Sequence, residues 1–122
     1  MANNKKNPLK TKSYDFALLI VRLSQKLVSE RKEFVLSKQI LRSGTAIGAL
    51  IREGEFAASK KDFVNKLTVS LKEANETEYW LMLLRDTDYL EDSAYDDLVA
   101  KNKELMAMLV SSIKTSKGIN EK

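Results

Sequence analysis

The chain has 122 residues, 43% of them hydrophobic and 31% charged, which suits one globular domain able to bury a core. It has no cysteine and no histidine, which excludes a disulfide framework, a zinc-thiolate site, a thiol nucleophile and a Ser-His hydrolase. The net charge of +4 comes from the ends, because residues 1–12 carry Lys5, Lys6, Lys10 and Lys12 without an acid, while the body between the ends is slightly acidic.

Residues 1–12 (MANNKKNPLKTK) read as a flexible basic tail without the apolar stretch of a signal peptide. The longest wholly apolar run, residues 16–21, is too short to span a membrane. Ser13 is read as the N-cap of a first helix over residues 14–30, with Phe16, Ile20, Leu23 and Leu27 at helical spacing. Ser37 is read as the cap of a second helix reaching about residue 57, in which Leu41, Gly44, Gly48 and Ile51 form the stripe and Ile40 and Ile47 flank it. Two glycines inside a helix cost roughly 1 kcal/mol each against alanine, so Gly44 and Gly48 imply close packing of another helix. A leucine at position 48 is therefore expected to disrupt packing or assembly.

The third helix starts after Ser59, with Asp62 completing a capping box, and runs to about residue 85. Its 4-3 spacing passes through Phe63, Leu67, Ser70, Ala74, Thr77, Leu81 and Leu84, with small residues at the centre. After the acidic stretch 86–92, Ser93 and Asp96 repeat the capping pattern, and Leu98, Asn102, Leu105, Leu109 and Ser112 carry a fourth helix to about residue 115. Residues 116–122 read as a second flexible tail. No stretch alternates like a strand, and the short connections favour an all-α, antiparallel up-down-up-down four-helix bundle over residues 13–115.

Charge is unevenly spread along this body. Residues 37–66 are basic on balance, whereas residues 73–97 hold many acids against Arg85 alone. Such complementarity serves packing within the chain or a head-to-tail contact between identical subunits. Arg42 and Arg52 are nearly three helical turns apart and form a basic strip with Lys38, suited to phosphate contact. The competing reading pairs the arginines with Glu73, Glu76 or Glu78 on the third helix, in the same or a neighbouring subunit, which makes those glutamates core or subunit-interface residues. Tyr79 and Trp80 read as core or subunit interface rather than as base-stacking rings. Glu73 and Glu76 form an i, i+3 carboxylate pair, but without histidine the usual ligand set of a bundle metal site is incomplete. The acids between Asp86 and Asp97 read as a solvated loop and helix start. No catalytic residue, metal or cofactor is expected. The N-terminal lysines would add weak affinity for nucleic acid of any sequence.

The segments SKQILRSGTAIGALIREGEFAASKKDF and KLTVSLKEANETEYWLMLL, at their spacing here, resemble the small four-helix bundle proteins encoded in intervening sequences of bacterial 23S rRNA genes. The resemblance covers residues 14–109 and departs from the family pattern at Ala46, commonly serine, Leu50, commonly asparagine, and Gly54, often alanine. That family in turn resembles the accessory variability determinant of diversity-generating retroelements, a bundle that assembles as a five-membered ring and binds nucleic acid and a reverse transcriptase. The resemblance implies a homo-oligomer, most simply a pentamer, with RNA or DNA and a reverse transcriptase-like protein as partners. The expectation is a non-enzymatic, cytoplasmic, nucleic-acid-associated accessory protein. The alternative is a protein–protein interaction scaffold without direct nucleic-acid binding.

Overall fold

The computed structural model describes residues 7–118, so Lys5, Lys6 and residues 119–122 of the expected tails lie outside the described residues. Four helices follow one another: α1 (Pro8–Arg31), α2 (Leu36–Gly54), α3 (Lys60–Asp86) and α4 (Asp92–Lys117). No strand occurs among the described residues. Contacts between successive helices run in opposite directions. Ser13 lies beside Gly48 while Ser24 bonds the Ser37 carbonyl, and Ser70 bonds the Ile47 carbonyl while Thr77 meets Ser43. Asn102 reaches Ala74, and Lys12 pairs with Glu104 to link α1 to α4. α1 and α2, and α2 and α3, are thus antiparallel; the short connection 87–91 turns α4 back along α3, and the contact of α1 with α4 completes a four-helix bundle.

The core consists of apolar side chains from every helix, among them Phe16, Ile20, Ile40, Ile47, Leu67, Leu81, Leu84, Leu105 and Leu109. On α2 the expected stripe is shifted. Ile40 and Ile47 are its buried centre, and Leu41 is only half-buried. Gly44 and Gly48 lie against α1, where an added Cβ would meet Ile20 and Ser13. The partner that the notch accommodates is therefore a helix of the same chain. Buried hydroxyls on the helix faces donate to main-chain carbonyls instead of standing unpaired: Ser24 to Ser37 at 3.0 Å and Ser70 to Ile47 at 2.9 Å.

Three of the four helix starts differ from the sequence reading. Asn7 caps α1 by accepting from the Lys10 N–H at 3.1 Å, and Pro8 occupies the first turn. A capping asparagine followed by proline is itself a start signal. Ser13, taken as the cap, is buried within the helix and donates to the Lys10 carbonyl. Residues 8–12 are therefore helical and belong to the bundle. α4 starts at Asp92, with Glu91 as N-cap and Ser93 inside the helix, and it ends on Gly118 in the left-handed conformation. The start of α3 is as read: Ser59 Oγ accepts from the Asp62 N–H at 3.0 Å, and the Asp62 carboxylate accepts from the Ala58 N–H at 3.1 Å.

α2 is capped from outside the helix. Its N-cap, Val35, offers no side-chain acceptor, and the Glu33 carboxylate accepts from the N–H groups of Val35, Leu36 and Ser37 at 3.2, 3.0 and 2.7 Å. Ser37, expected as the cap, instead donates its hydroxyl to the Glu33 carbonyl. Burial pushes the Glu33 carboxyl up, but the backbone N–H groups that favour its charged form outweigh burial and hold it below its ordinary value. Glu33→Ala is expected to cost about 1 kcal/mol, and Glu33→Gln less, because the amide keeps one acceptor oxygen. A carboxyl depressed by folding stabilises above its unfolded value and loses that contribution as pH falls through the folded one. Denaturation curves of wild type and Glu33→Gln should therefore differ at neutral pH and draw together as pH falls below the ordinary carboxylate range.

Candidate nucleic-acid interface

The strip read on α2 divides in two. Arg42 is turned toward α3, where its guanidinium pairs with Glu73 at 3.2 Å and with Glu76, and also donates to the Gln39 side-chain oxygen at 3.3 Å. The Trp80 indole N–H donates to the same Glu76 carboxylate at 2.9 Å. One guanidinium thus faces two carboxylates, and this ledge carries a net negative charge rather than a positive one. Arg42 keeps half of its side-chain surface exposed, so the ion pairs are screened and their main effect is to set its direction. Glu78 takes no part and pairs with Lys103 on α4 at 3.3 Å.

Lys38 and Arg52 are exposed and have no ion-pair partner among the described residues. The structure therefore brings Arg42 together with Glu73, Glu76 and Trp80, and leaves Lys38 and Arg52 to solvent. Trp80 is half-buried and packs on the core, in an edge-to-face arrangement with the exposed Tyr79 at 5.1 Å between ring centroids. Of these two rings, that of Tyr79 is the more exposed.

The acidic stretch after α3 forms part of a cleft of about 590 Å³ with the C-terminal turns of α1. Its acids are interleaved with arginines that lie over tyrosine rings: Arg31 is 4.5 Å from the centre of Tyr89, and Arg85 is 4.1 Å from that of Tyr95. Arg31 also donates to the Asp88 carbonyl, at a residue whose φ of 70° is left-handed. Among the described residues no group of three or more Asp, Glu, His or Cys side chains converges as a metal-binding set. No helix among them is long and apolar enough to cross a membrane.

A model of the family described as 23S rRNA-intervening sequence protein matches residues 5–111 of the chain. The chain belongs to that family. The intervening-sequence protein is also similar to a solved crystal structure, described as a protein with unknown function from the S23 ribosomal protein family from Bacteroides thetaiotaomicron. The two share 56% sequence identity with a TM-score of 0.86, over 87% of this chain and 98% of that one. No curated protein matches the chain.

Sequence reasoning missed two features of this family member. Glu33 is the effective cap of α2, and its signal was a carboxylate close before a helix start that otherwise lacks one. The lysines of both chain ends were read as separate tails, although an up-down-up-down order must bring the first and last turns to the end that carries the α2–α3 connection.

Proposed function

We propose that this intervening-sequence protein is a non-enzymatic, self-associating cytoplasmic bundle, a ring of five when assembled, that acts as an accessory protein to RNA or DNA. The observation that carries the reading is the solvent face of α2, where Lys38 and Arg52 stand free of ion pairs with the small side chains of Thr45 and Ala49 between them. A polyanion can approach such a strip without displacing an existing partner. Large apolar side chains on helix faces, Tyr14 and Leu18 on α1 and Tyr79 and Met82 on α3, are exposed in the single chain and support a subunit contact that covers them. A ring would repeat each weak phosphate contact in every subunit. The neutralised Arg42 favours the second reading, a protein–protein scaffold without direct nucleic-acid contact.

Sedimentation at micromolar concentration, followed by titration of the intact assembly into structured RNA, single-stranded RNA and duplex DNA, separates these readings. Binding should fall steeply between about 50 and 200 mM salt. Lys38→Gln with Arg52→Gln should lower affinity for all sequences alike. A monomer throughout would reject the assembly, and absence of binding at low salt would leave the scaffold.

A further inference from the structure

The antiparallel order gathers at one end of the bundle charge that the sequence scatters over its whole length. α1 begins there, α4 ends there, and residues 55–59 join α2 to α3 there. A small hollow lined by Leu9, Ile51, Phe63 and Met108 shows all four helices converging at this end. The acids of this end are already engaged: Glu53 pairs with Lys66 at 3.3 Å, Glu55 with Lys10 at 3.0 Å, and Asp62 accepts from the Ala58 N–H. Among the described residues, the remaining charges of this end are cations. Arg52, Lys60, Lys61, Lys114 and Lys117 are exposed and have no ion-pair partner among the described residues.

In the α2–α3 connection at this end, Phe56 is 87% exposed, more than any other large apolar side chain described. Its backbone is fixed, since its N–H bonds the Glu53 carbonyl at 3.1 Å while α3 starts in the capping box three residues on. An aromatic ring in water on a fixed stretch of backbone, at the end of the bundle that carries these cations, matches the stacking platform and backbone-tracking charge of single-strand binding. A duplex would offer its phosphates but keep its bases stacked inside. A membrane surface is a poorer fit, because interfacial binding relies on a broad apolar face and this end presents one isolated ring.

We infer that the end of the bundle around residues 55–61 is a single-stranded nucleic-acid site, in which Phe56 stacks on an unpaired base while Lys60, Lys61, Lys114, Lys117 and Arg52 contact flanking phosphates. This rests on the nucleic-acid reading above, and moves the contact from the side of α2 to the tip of the bundle.

The test uses full-length protein, a fluorescent single-stranded oligouridine, a duplex of equal length, and phosphatidylserine-containing vesicles. Phe56→Ala should weaken single-strand binding about tenfold, the effect of roughly one stacked base, and leave duplex binding unchanged. Lys60→Gln with Lys61→Gln should weaken both and flatten the salt dependence. These positions are exposed, so thermal melts of the variants should match wild type. Wild-type binding that depends on Lys38 but is indifferent to Phe56, Lys60 and Lys61 would overturn the tip site and leave the general reading standing. A wild-type protein that binds no oligonucleotide would overturn both. Loss of vesicle binding or of assembled mass in Phe56→Ala, with oligonucleotide affinity intact, would reassign the ring to a membrane or a subunit contact.

Discussion

Asn102→Asp should destabilise the protein by about 3–5 kcal/mol at neutral pH, a large part of the roughly 5–15 kcal/mol that a domain commonly has. Asn102 is fully buried on α4, and its amide donates to the Ala74 carbonyl of α3 at 2.8 Å. Its side-chain oxygen has no hydrogen-bond partner among the described residues. A carboxylate at this position would point an acceptor at an acceptor, and its other oxygen would have no hydrogen-bond partner among the described residues. Burial raises the folded pKa of such a group above its unfolded value. The penalty is therefore complete above the folded value and fades as pH falls toward the unfolded one, where the protonated acid can donate to Ala74 in place of the amide. Chemical denaturation at about pH 4 and at neutral pH checks both magnitude and sign. Asn102→Leu should stay within about 1 kcal/mol of wild type, because the Ala74 carbonyl is also an acceptor in the ladder of α3. Equal stability of Asn102→Asp and wild type at neutral pH would show that the site is not closed to water.

The second large effect is at Gly44. An added Cβ there would lie 2.8 Å from both γ carbons of Ile20, a separation that real Cβ atoms do not show. Those carbons branch directly from the Ile20 Cβ and the residue is fully buried, so α1 itself must move. Gly44→Ala should cost about 1–3 kcal/mol through overpacking, after the roughly 1 kcal/mol gained in helix propensity, and Gly44→Leu should cost more. Gly48 has more room, its nearest atom being the Ser13 hydroxyl oxygen at 3.2 Å. Gly48→Ala should fall within about 1 kcal/mol of wild type, whereas Gly48→Leu should still disrupt the contact. At Gly54 the new methyl would meet the Phe63 ring at 3.4 Å, an ordinary contact, and alanine should gain up to about 1 kcal/mol. Thermal melting should thus rank the alanine variants 54, 48, 44 from most to least stable. A reversed order would remove the close approach of α1 as the reason for the notch.

Most of the fold could be read in the sequence because it rests on local signals. Helical periodicity marked four segments, the Ser59–Asp62 box set the start of α3, and short connections required antiparallel neighbours. The errors at helix ends came from competition between nearby signals. Ser13, Ser37 and Ser93 each precede an apolar stripe, but Asn7–Pro8, Glu33 and Glu91 start the helix earlier. A serine can also satisfy a carbonyl from within a helix, as Ser13 does.

The candidate site was legible only as a list of charges. Periodicity says which face of a helix a side chain occupies, but not what lies opposite. Arg42 and Arg52 looked alike in sequence, yet one meets two glutamates more than thirty residues away and the other meets solvent. The sequence by itself determined the number, order and approximate span of the helices, and that two glycines needed a close neighbour, because these follow from interactions within a few turns of chain. Only the tertiary structure decided that α1 is that neighbour, that Glu73 and Glu76 hold Arg42, and that the start of α1, the α2–α3 connection and the last turns of α4 meet at one end of the bundle. Each of these depends on which distant faces are brought into contact, and that is set by packing the whole bundle at once.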